Sequence, residues 1–155
     1  MMLKSWIDES HLLASSNPSD EGLAQLRAQG FGLAVSLLDK KKQPPRYDKK
    51  SAASAGWAIY SIPIEEGTTP SLVQACEFIA LIGAVPKATR TLVFCDRGLG
   101  RSPFMGAVYW IAKGLTATAA TARVASSAGV EPGWKTQAGD EVLRKFEQLQ
   151  WRIHS

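Results

Sequence analysis

The chain has 155 residues, of which 45% are hydrophobic, and a formal net charge of +4 at pH 7. This length and composition predict one globular domain, residues 1–155, large enough to bury a core of its own. No apolar run is long enough to cross a membrane, and residues 1–8 lack the basic and then apolar pattern of a signal peptide. We therefore expect neither a membrane partner nor secretion.

Strands and helices are predicted to alternate along the chain. Five runs are predicted to be strands, at residues 4–8, 11–14, 31–38, 57–64 and 91–94. Two helices are expected to begin at Asn17 and Thr69, each a capping residue followed by proline, and Gly30 is expected to end the first. Three further helices are predicted at residues 102–113, 116–126 and 137–152. This order predicts an α/β fold with a central, mostly parallel sheet flanked by helices.

The loop between the last predicted strand and the next helix is the most informative segment. It carries Cys95 and Arg101, separated by five residues that include Gly98 and Gly100. The start of a helix leaves backbone N–H groups unpaired and carries partial positive charge, so it binds anions such as phosphate and favours a thiolate at Cys95. Arg101 can hold two phosphoryl oxygens with its planar guanidinium. The loop therefore predicts a nucleophile and an anion site in one place.

These residues resemble the C-x5-R signature of the cysteine-based protein tyrosine phosphatases, in their small dual-specificity form. In the family pattern His-Cys-x-x-Gly-x-x-Arg-Ser/Thr, Cys95, Gly98, Arg101 and Ser102 match, and Phe94 stands in place of the histidine. The resemblance implies the protein tyrosine phosphatase fold and a dephosphorylation through a phosphocysteine intermediate on Cys95. It also implies that Arg101 binds the phosphoryl oxygens and that Ser102 assists the departure of the sulfur.

The resemblance further implies that the whole loop surrounds the phosphate. The expected phosphate-binding residues are Asp96, Arg97, Gly98, Leu99, Gly100 and Arg101. Most side chains of such a loop point outward, so Arg97 offsets the charge of Asp96 locally or reaches a second phosphate of the substrate. An inward-pointing Asp96 would instead repel the phosphate and weaken the enzyme.

Residues 61–71 resemble the family segment Ile-Pro-x-x-Asp-x-x-x-Pro, in which a strand ends and a mobile loop presents the general acid. Glu66 stands where the family has aspartate, and Glu65 is the alternative. A carboxylic acid there protonates the leaving oxygen and then takes a proton from the water that hydrolyses the phosphocysteine. The resemblance thus implies Glu66 as the catalytic acid and base.

Residues 131–137 resemble the Arg-Pro-Gly segment of the family and the polar loop that follows it. Glu131 takes the place of the arginine, and the segment ends in Thr136 and Gln137. The resemblance implies that one of these two side chains positions the hydrolytic water. Trp134 is expected to pack a loop or to border the substrate groove.

The segment from residue 39 to residue 50 concentrates the basic charge of the chain. Its six basic residues against two acidic ones match the net charge of +4 of the whole chain; the basic ones are Lys40, Lys41, Lys42, Arg46, Lys49 and Lys50. One interpretation is that the segment attracts polyanionic substrates, and the other is a solvated, flexible loop in which Pro44 and Pro45 prevent regular structure. Nucleic acid is not an expected partner, because only Tyr47 interleaves with the lysines.

Neither a metal nor another cofactor is expected. His11 and His154 are isolated, and no Cys, His or carboxylate cluster has ligand spacing. Cys76 is interpreted as a core thiol on an apolar helix. Because a catalytic Cys95 needs a reducing compartment, we expect no structural disulfide and predict a cytoplasmic location.

The sequence therefore predicts a monomeric, cysteine-dependent phosphatase. The expected substrates are phosphorylated proteins, with phosphotyrosine first and phosphoserine or phosphothreonine next, or small phosphomonoesters. The main alternative is a weak or inactive phosphate-binding pseudophosphatase. A rhodanese-like sulfurtransferase is less favoured because its cysteine-to-arginine spacing is usually shorter, and the low-molecular-weight phosphatase type because its cysteine lies near the N-terminus.

Overall fold

The computed structural model describes residues 2–39, 41–86, 88–128 and 136–153. Strands and helices alternate in these residues, and none of the helices there is long and apolar enough to cross a membrane. In chain order the elements are β1 Lys4–Asp8, β2 Leu12–Ser15, α1 Asp20–Ala28, β3 Phe31–Ser36, α2 Lys49–Ser54, β4 Ala58–Ser61, α3 Leu72–Gly83, β5 Arg90–Phe94, α4 Arg101–Ala112, α5 Ala117–Ala128 and α6 Gln137–Leu149.

The strands form one sheet in the order β1-β2-β5-β3-β4. Only β1 and β2 pair antiparallel, and the other three pairs are parallel. The predicted α/β fold with a mostly parallel central sheet is confirmed. Because β2, β3, β4 and β5 run in the same direction, their carboxyl ends meet at one edge of the sheet, where ligands bind in open α/β folds.

Successive side chains of the central strand β5 point to opposite faces of the sheet, as the pleat requires. Leu92 and Phe94 belong to a core cluster that includes apolar residues of α1 and α2, whereas Val93 and Cys95 belong to a cluster built with α3, α4, α5 and α6. The sheet is therefore covered on both faces. Burial of these apolar surfaces stabilises the fold by about 25 cal/mol per Å², and so it holds in place the strand ends that carry the site.

Two helices begin two residues later than the sequence predicts. Ser19, not Asn17, caps α1, and its hydroxyl accepts a hydrogen bond from the backbone N–H of Gly22 at 3.1 Å. Ser71, not Thr69, caps α3 and forms a reciprocal capping box with Gln74. In both cases the proline precedes the N-cap residue instead of following it, so the true cap is the serine after the proline.

The short helix α2 was not predicted, because its first two residues belong to the segment that Pro44 and Pro45 were expected to keep irregular. The helix begins after the prolines. Asp48 caps it, and its carboxylate accepts hydrogen bonds from the backbone N–H and the hydroxyl of Ser51. These bonds hold the pKa of Asp48 below its usual value.

Candidate active site

Four loops meet at the carboxyl edge of the sheet. They are residues 16–19 after β2, the lysine segment (residues 39–48) after β3, the glutamate loop (residues 62–71) after β4 and the cysteine loop (residues 95–100) after β5. The parallel strands place these loops side by side although they come from distant parts of the chain. Their contacts define the candidate site.

The cysteine loop is packed against the end of β2. Cys95 is only 2% exposed, and its backbone N–H donates to the carbonyl of Ser15 at 3.3 Å. The carbonyl of Asp96 accepts a hydrogen bond from the backbone N–H of Asn17 at 3.0 Å. Within the loop, the backbone N–H of Gly98 donates to Sγ of Cys95 at 3.2 Å, and such a donor bonds a thiolate more strongly than a thiol.

The loop requires glycine at position 98. Gly98 has a φ of +77°, and a Cβ added there would lie 2.7 Å from the backbone nitrogen of Ser16. Both the left-handed conformation and the close approach exclude a side chain. Gly100, by contrast, has open space where its Cβ would stand. The first glycine thus permits the packing of the loop on β2, and the second does not take part in it.

Helix α4 begins directly after the cysteine loop. Gly100 is its N-cap residue, and no side chain of the described residues caps the first turn. The backbone N–H groups of Arg101 and Ser102 and the positive end of the helix are therefore available to an anion. Ser102 is fully buried in the same turn, and its hydroxyl has no hydrogen-bond partner among the described residues.

Arg101 links the cysteine loop to two other loops. Its side chain is 7% exposed, and Nη1 donates to the carbonyl of Ile64 at 2.8 Å and to that of Leu37 at 3.3 Å. Within the described residues, Nε and Nη2 have no acceptor, so they are available to phosphoryl oxygens. A single guanidinium can therefore bind an anion and also hold the start of the glutamate loop.

The loops enclose a pocket of about 200 Å³. Its described lining residues are Glu66, Gly67, Thr68, Thr69, Pro70, Cys95, Arg97, Leu99, Gly100, Arg101 and Thr136. The structure thus brings together most of the predicted site residues. Among the predicted site residues, Asp96, Gly98, Ser102 and Gln137 do not line this pocket, and neither does Glu65.

The two glutamates of the glutamate loop have different surroundings. Glu65 forms an ion pair of 3.8 Å with Lys42, and the two side chains are 63% and 73% exposed. Glu66 lines the pocket, and its Oε2 accepts a hydrogen bond of 2.7 Å from Nε2 of Gln43. Only Glu66 therefore faces Cys95 across the pocket.

Thr136 lies at the N-cap of α6, where its hydroxyl accepts a hydrogen bond from the backbone N–H of Gly139 at 3.1 Å. It contributes to the pocket wall, whereas Gln137 is exposed and does not line the pocket. The predicted resemblance over residues 131–135, with Glu131 and Trp134, lies outside the described residues. Of the two water-positioning candidates, the structure thus brings only Thr136 to the pocket.

The lysine segment contains buried residues as well as exposed lysines. Its described lysines are exposed, but Gln43 and Tyr47 are each 7% exposed. The ring of Tyr47 packs edge-on against Phe94 with centroids 6.0 Å apart, and burial raises the pKa of its hydroxyl. Phe94, which replaces the histidine of the family pattern, therefore anchors the lysine segment beside the cysteine loop. Lys40 lies outside the described residues.

Gln43 was not predicted to lie at the site, and Asn17 was predicted only as a helix cap. Both are polar side chains that the structure buries at the carboxyl edge of the sheet. Asn17 offered one signal, because it lies two residues after the buried strand β2, and the carboxyl ends of parallel strands form the edge at which ligands bind. Gln43 offered none, since it stands between lysines and prolines in a segment with no predicted regular structure.

Comparison with known families shows which protein family the chain belongs to. A family model described as a DSP-PTPase phosphatase fused to NAD+ kinase matches residues 4–139. The chain belongs to this family. The resemblance to small dual-specificity phosphatases predicted from the cysteine loop is thereby confirmed, and the protein is a phosphatase-family domain.

Solved structures agree with this assignment. Tk-PTP in its active form is 26% identical, with a TM-score of 0.78 over 94% of this chain and 96% of that one. PTPMT1 in complex with PI(5)P is 15% identical, with a TM-score of 0.82 over 95% and 96% of the two chains, and human DUSP28 is 22% identical, with a TM-score of 0.69 over 94% and 93%. The latter two show the shared fold. A search of curated proteins found no match to this sequence.

Proposed function

We propose that the domain hydrolyses phosphomonoesters through a phosphocysteine intermediate on Cys95. The observation that carries the proposal is the pocket in which Cys95, Arg101 and Glu66 come from the cysteine loop, the start of α4 and the glutamate loop. A nucleophile, a cationic fork and a carboxyl group around one small cavity are the groups that such a reaction requires.

In the first step, the thiolate of Cys95 attacks phosphorus. An S–P bond forms while the bond from phosphorus to the ester oxygen breaks, and Glu66 gives its proton to that leaving oxygen. Arg101 and the N–H groups at the start of α4 hold the remaining phosphoryl oxygens, where negative charge is concentrated. This step leaves a phosphocysteine and a free alcohol or phenol.

In the second step, water attacks the phosphorus of the intermediate and Glu66 takes its proton. The S–P bond breaks, inorganic phosphate forms and the electron pair returns to sulfur as thiolate. The buried hydroxyl of Ser102, which has no partner in the described structure, supplies a hydrogen bond to the departing sulfur. Thr136 forms the wall of the pocket from which it can position the water.

The geometry favours Glu66 over Glu65 as the acid. Glu66 shares the pocket with Cys95, whereas Glu65 is paired with Lys42 outside it. Glutamate is one methylene longer than the aspartate of the family pattern, and the hydrogen bond from Gln43 restrains this longer side chain. The acid function is therefore assigned to Glu66.

The residues at the rim of the pocket indicate which substrates it can accept. Arg97 and Leu99 are exposed there, and no described lining residue is aromatic. A phosphotyrosine ring would find no stacking partner among them, so small phosphomonoesters are candidates beside phosphorylated proteins. The family description names an NAD+ kinase, whose product NADP+ carries a phosphomonoester on ribose, and NADP+ therefore belongs among the substrates to test.

The experiment measures phosphate release from an aryl phosphate by the wild type and Cys95→Ser, under reducing conditions and without added metal. The same pair is then tested on phosphotyrosine, phosphoserine and phosphothreonine peptides and on NADP+. Turnover that disappears in Cys95→Ser supports the proposal. Turnover that persists in that variant contradicts it, and vanadate binding by an inactive wild type identifies a phosphate-binding pseudophosphatase instead.

A further inference from the structure

Gln43 is buried in a segment whose other polar side chains are largely exposed. It is 7% exposed, although its neighbours Lys42 and Pro44 are exposed. A buried amide costs free energy unless both its N–H and its C=O groups are paired. The way in which Gln43 is paired indicates its role.

The side-chain amide of Gln43 is held at both ends. Its Oε1 accepts a hydrogen bond from the backbone N–H of Asp39 at 3.4 Å, and its Nε2 donates to Oε2 of Glu66 at 2.7 Å. The backbone N–H of Gln43 also donates to the carbonyl of Asp39 at 2.7 Å. These bonds fix the orientation of the amide, because a flipped amide would direct its oxygen at the carboxylate.

The segment that carries Gln43 is in turn fixed to the cysteine loop through Asn17. The side chain of Asn17 donates from Nδ2 to the carbonyl of Pro44 at 3.1 Å and accepts from the backbone N–H of Arg46 at 3.2 Å. Its backbone N–H donates to the carbonyl of Asp96 in the cysteine loop at 3.0 Å. Hydrogen bonds of Asn17 and Gln43, joined by the backbone between Gln43 and Pro44, therefore connect the cysteine loop to Glu66.

We propose that Gln43 is the positioning residue for Glu66. An amide N–H directed at Oε2 leaves Oε1 to carry the proton in the acid form, so the proton that the leaving oxygen receives has a fixed place. The same bond keeps the carboxylate in the pocket for the second step, when it takes a proton from water. This inference rests on the proposed function, because Gln43 is assigned to hold the carboxyl group that acts as the acid in the proposed function.

The chain contains a matched control beside this pair. Lys42 and Glu65 lie one residue before Gln43 and Glu66, and they join the same two loops. Their contact is exposed and lies outside the pocket, so its contribution should be small. Replacing Lys42 therefore tests whether any contact between the two loops suffices.

The experiment compares Gln43→Met, Lys42→Met, Glu66→Gln and the Gln43→Met, Glu66→Gln double variant. Methionine matches glutamine in length but lacks the amide donor. Each protein is assayed on two aryl phosphates, one with a strongly acidic phenol that leaves without a proton and one with a weakly acidic phenol that needs one. Thermal unfolding confirms that each variant is folded, and Gln43→Glu, which keeps the chain length but replaces the donor by a carboxylate, serves as a second test of the bond.

We expect Gln43→Met and Gln43→Glu to lower kcat/KM on the weakly acidic phenol by roughly 10- to 100-fold, because kcat/KM reports the transfer of the phosphoryl group to Cys95 and a displaced acid protonates the leaving oxygen less effectively. On the strongly acidic phenol, and for Lys42→Met on both substrates, kcat/KM should stay within about 3-fold. In the Glu66→Gln background, Gln43→Met should have no further effect, since both changes remove the same proton transfer.

Equal losses of kcat/KM on both substrates, or a loss that adds to that of Glu66→Gln, would show that Gln43 acts on the fold and would overturn the proposal. A normal kcat/KM on the weakly acidic phenol in both folded Gln43 variants, when Glu66→Gln is impaired, would also overturn it but would leave the acid assignment intact. A normal kcat/KM in Glu66→Gln on the weakly acidic phenol would instead remove the acid assignment itself, and the proposal with it.

Discussion

The cysteine loop and the glutamate loop face each other across one pocket, but they are held in place in different ways. The cysteine loop continues directly from β5 into α4 and packs on the end of β2, and Cys95 is almost fully buried. In the glutamate loop, residues 65–68 are exposed, and the pocket side is held by hydrogen bonds from Arg101 and Gln43. Exposed loops with few buried contacts open at low free-energy cost.

This difference indicates that the two loops have separate functions. The cysteine loop is preorganised by the strand and the helix beside it in sequence, so it should bind phosphate whether or not the glutamate loop is in place. The carboxyl group depends on contacts from distant segments. Changes in the cysteine loop should therefore slow phosphoryl transfer to Cys95 from every substrate, whereas changes around Glu66 should slow that step only for substrates whose leaving oxygen needs a proton.

The largest effect is expected at Arg101, because its guanidinium serves both loops. Lysine keeps the charge but lacks the planar fork that binds two phosphoryl oxygens and the carbonyls of Ile64 and Leu37. Arg101→Lys should lower kcat/KM by about 1,000-fold on strongly and weakly acidic phenyl phosphates alike. Arg97→Lys, at the exposed rim, is the control and should stay within about 10-fold. A loss at Arg101 confined to the weakly acidic phenol would contradict the division between the loops.

The second prediction distinguishes Glu66 from Glu65 as the acid. Glu66→Gln removes the proposed proton donor and should lower kcat on a weakly acidic phenyl phosphate by about 100-fold or more. Glu65→Gln breaks only an exposed ion pair with Lys42 and should leave kcat within about 2-fold. Steady-state kinetics of the two variants decide between them. The reverse order of effects would transfer the acid function to Glu65.

A third prediction concerns the stability of the cysteine loop. Gly98→Ala places a Cβ 2.7 Å from the backbone of Ser16 at a positive φ, and should lower the free energy of unfolding by about 2 kcal/mol. Gly100→Ala meets open space and should change it by less than about 1 kcal/mol. Urea unfolding of both variants measures the difference. Equal stabilities would show that the loop is not packed on β2 as described.

The smallest effect is expected at the second cysteine. Burial raises the pKa of the Cys76 thiol, which keeps it protonated at neutral pH. The side chain lies on α3 and packs against the core cluster that contains Val93. Cys76→Ala should therefore change kcat by less than about 2-fold. Initial rates with an aryl phosphate test this. A large loss of activity in a folded Cys76→Ala variant would implicate the second thiol in the reaction.

The same contrast explains which parts of the site could be predicted from the sequence. The cysteine loop is local: a buried strand, a nucleophile, two glycines and an arginine stand within eleven residues, and each is recognisable from its chemistry. Glu66 required the resemblance of residues 61–71 to a family segment. The resemblance puts Glu66 before Glu65, and the structure adds that Glu66 lines the pocket whereas Glu65 pairs with Lys42 outside it.

The contacts that hold the glutamate loop could not be predicted. Gln43 is 23 residues from Glu66, and Asn17 is 29 residues from Arg46, so each contact depends on the parallel arrangement of the strands. The sequence predicts a mostly parallel sheet but not the order of its strands. The contact of Tyr47 with Phe94, which holds the segment that carries Gln43, joins residues that are also far apart in the chain.

The most direct test of the central claim is to trap the reaction on Cys95. The phosphate ester of a strongly acidic phenol is mixed with the wild type and with Glu66→Gln, the reaction is stopped with acid within milliseconds to seconds, and the digested protein is analysed by mass spectrometry. We predict one phosphoryl group on the peptide that contains Cys95, with more of it in Glu66→Gln because hydrolysis of the intermediate is slower there. Steady turnover with no phosphoryl group on Cys95, or with one on another residue, would contradict the account.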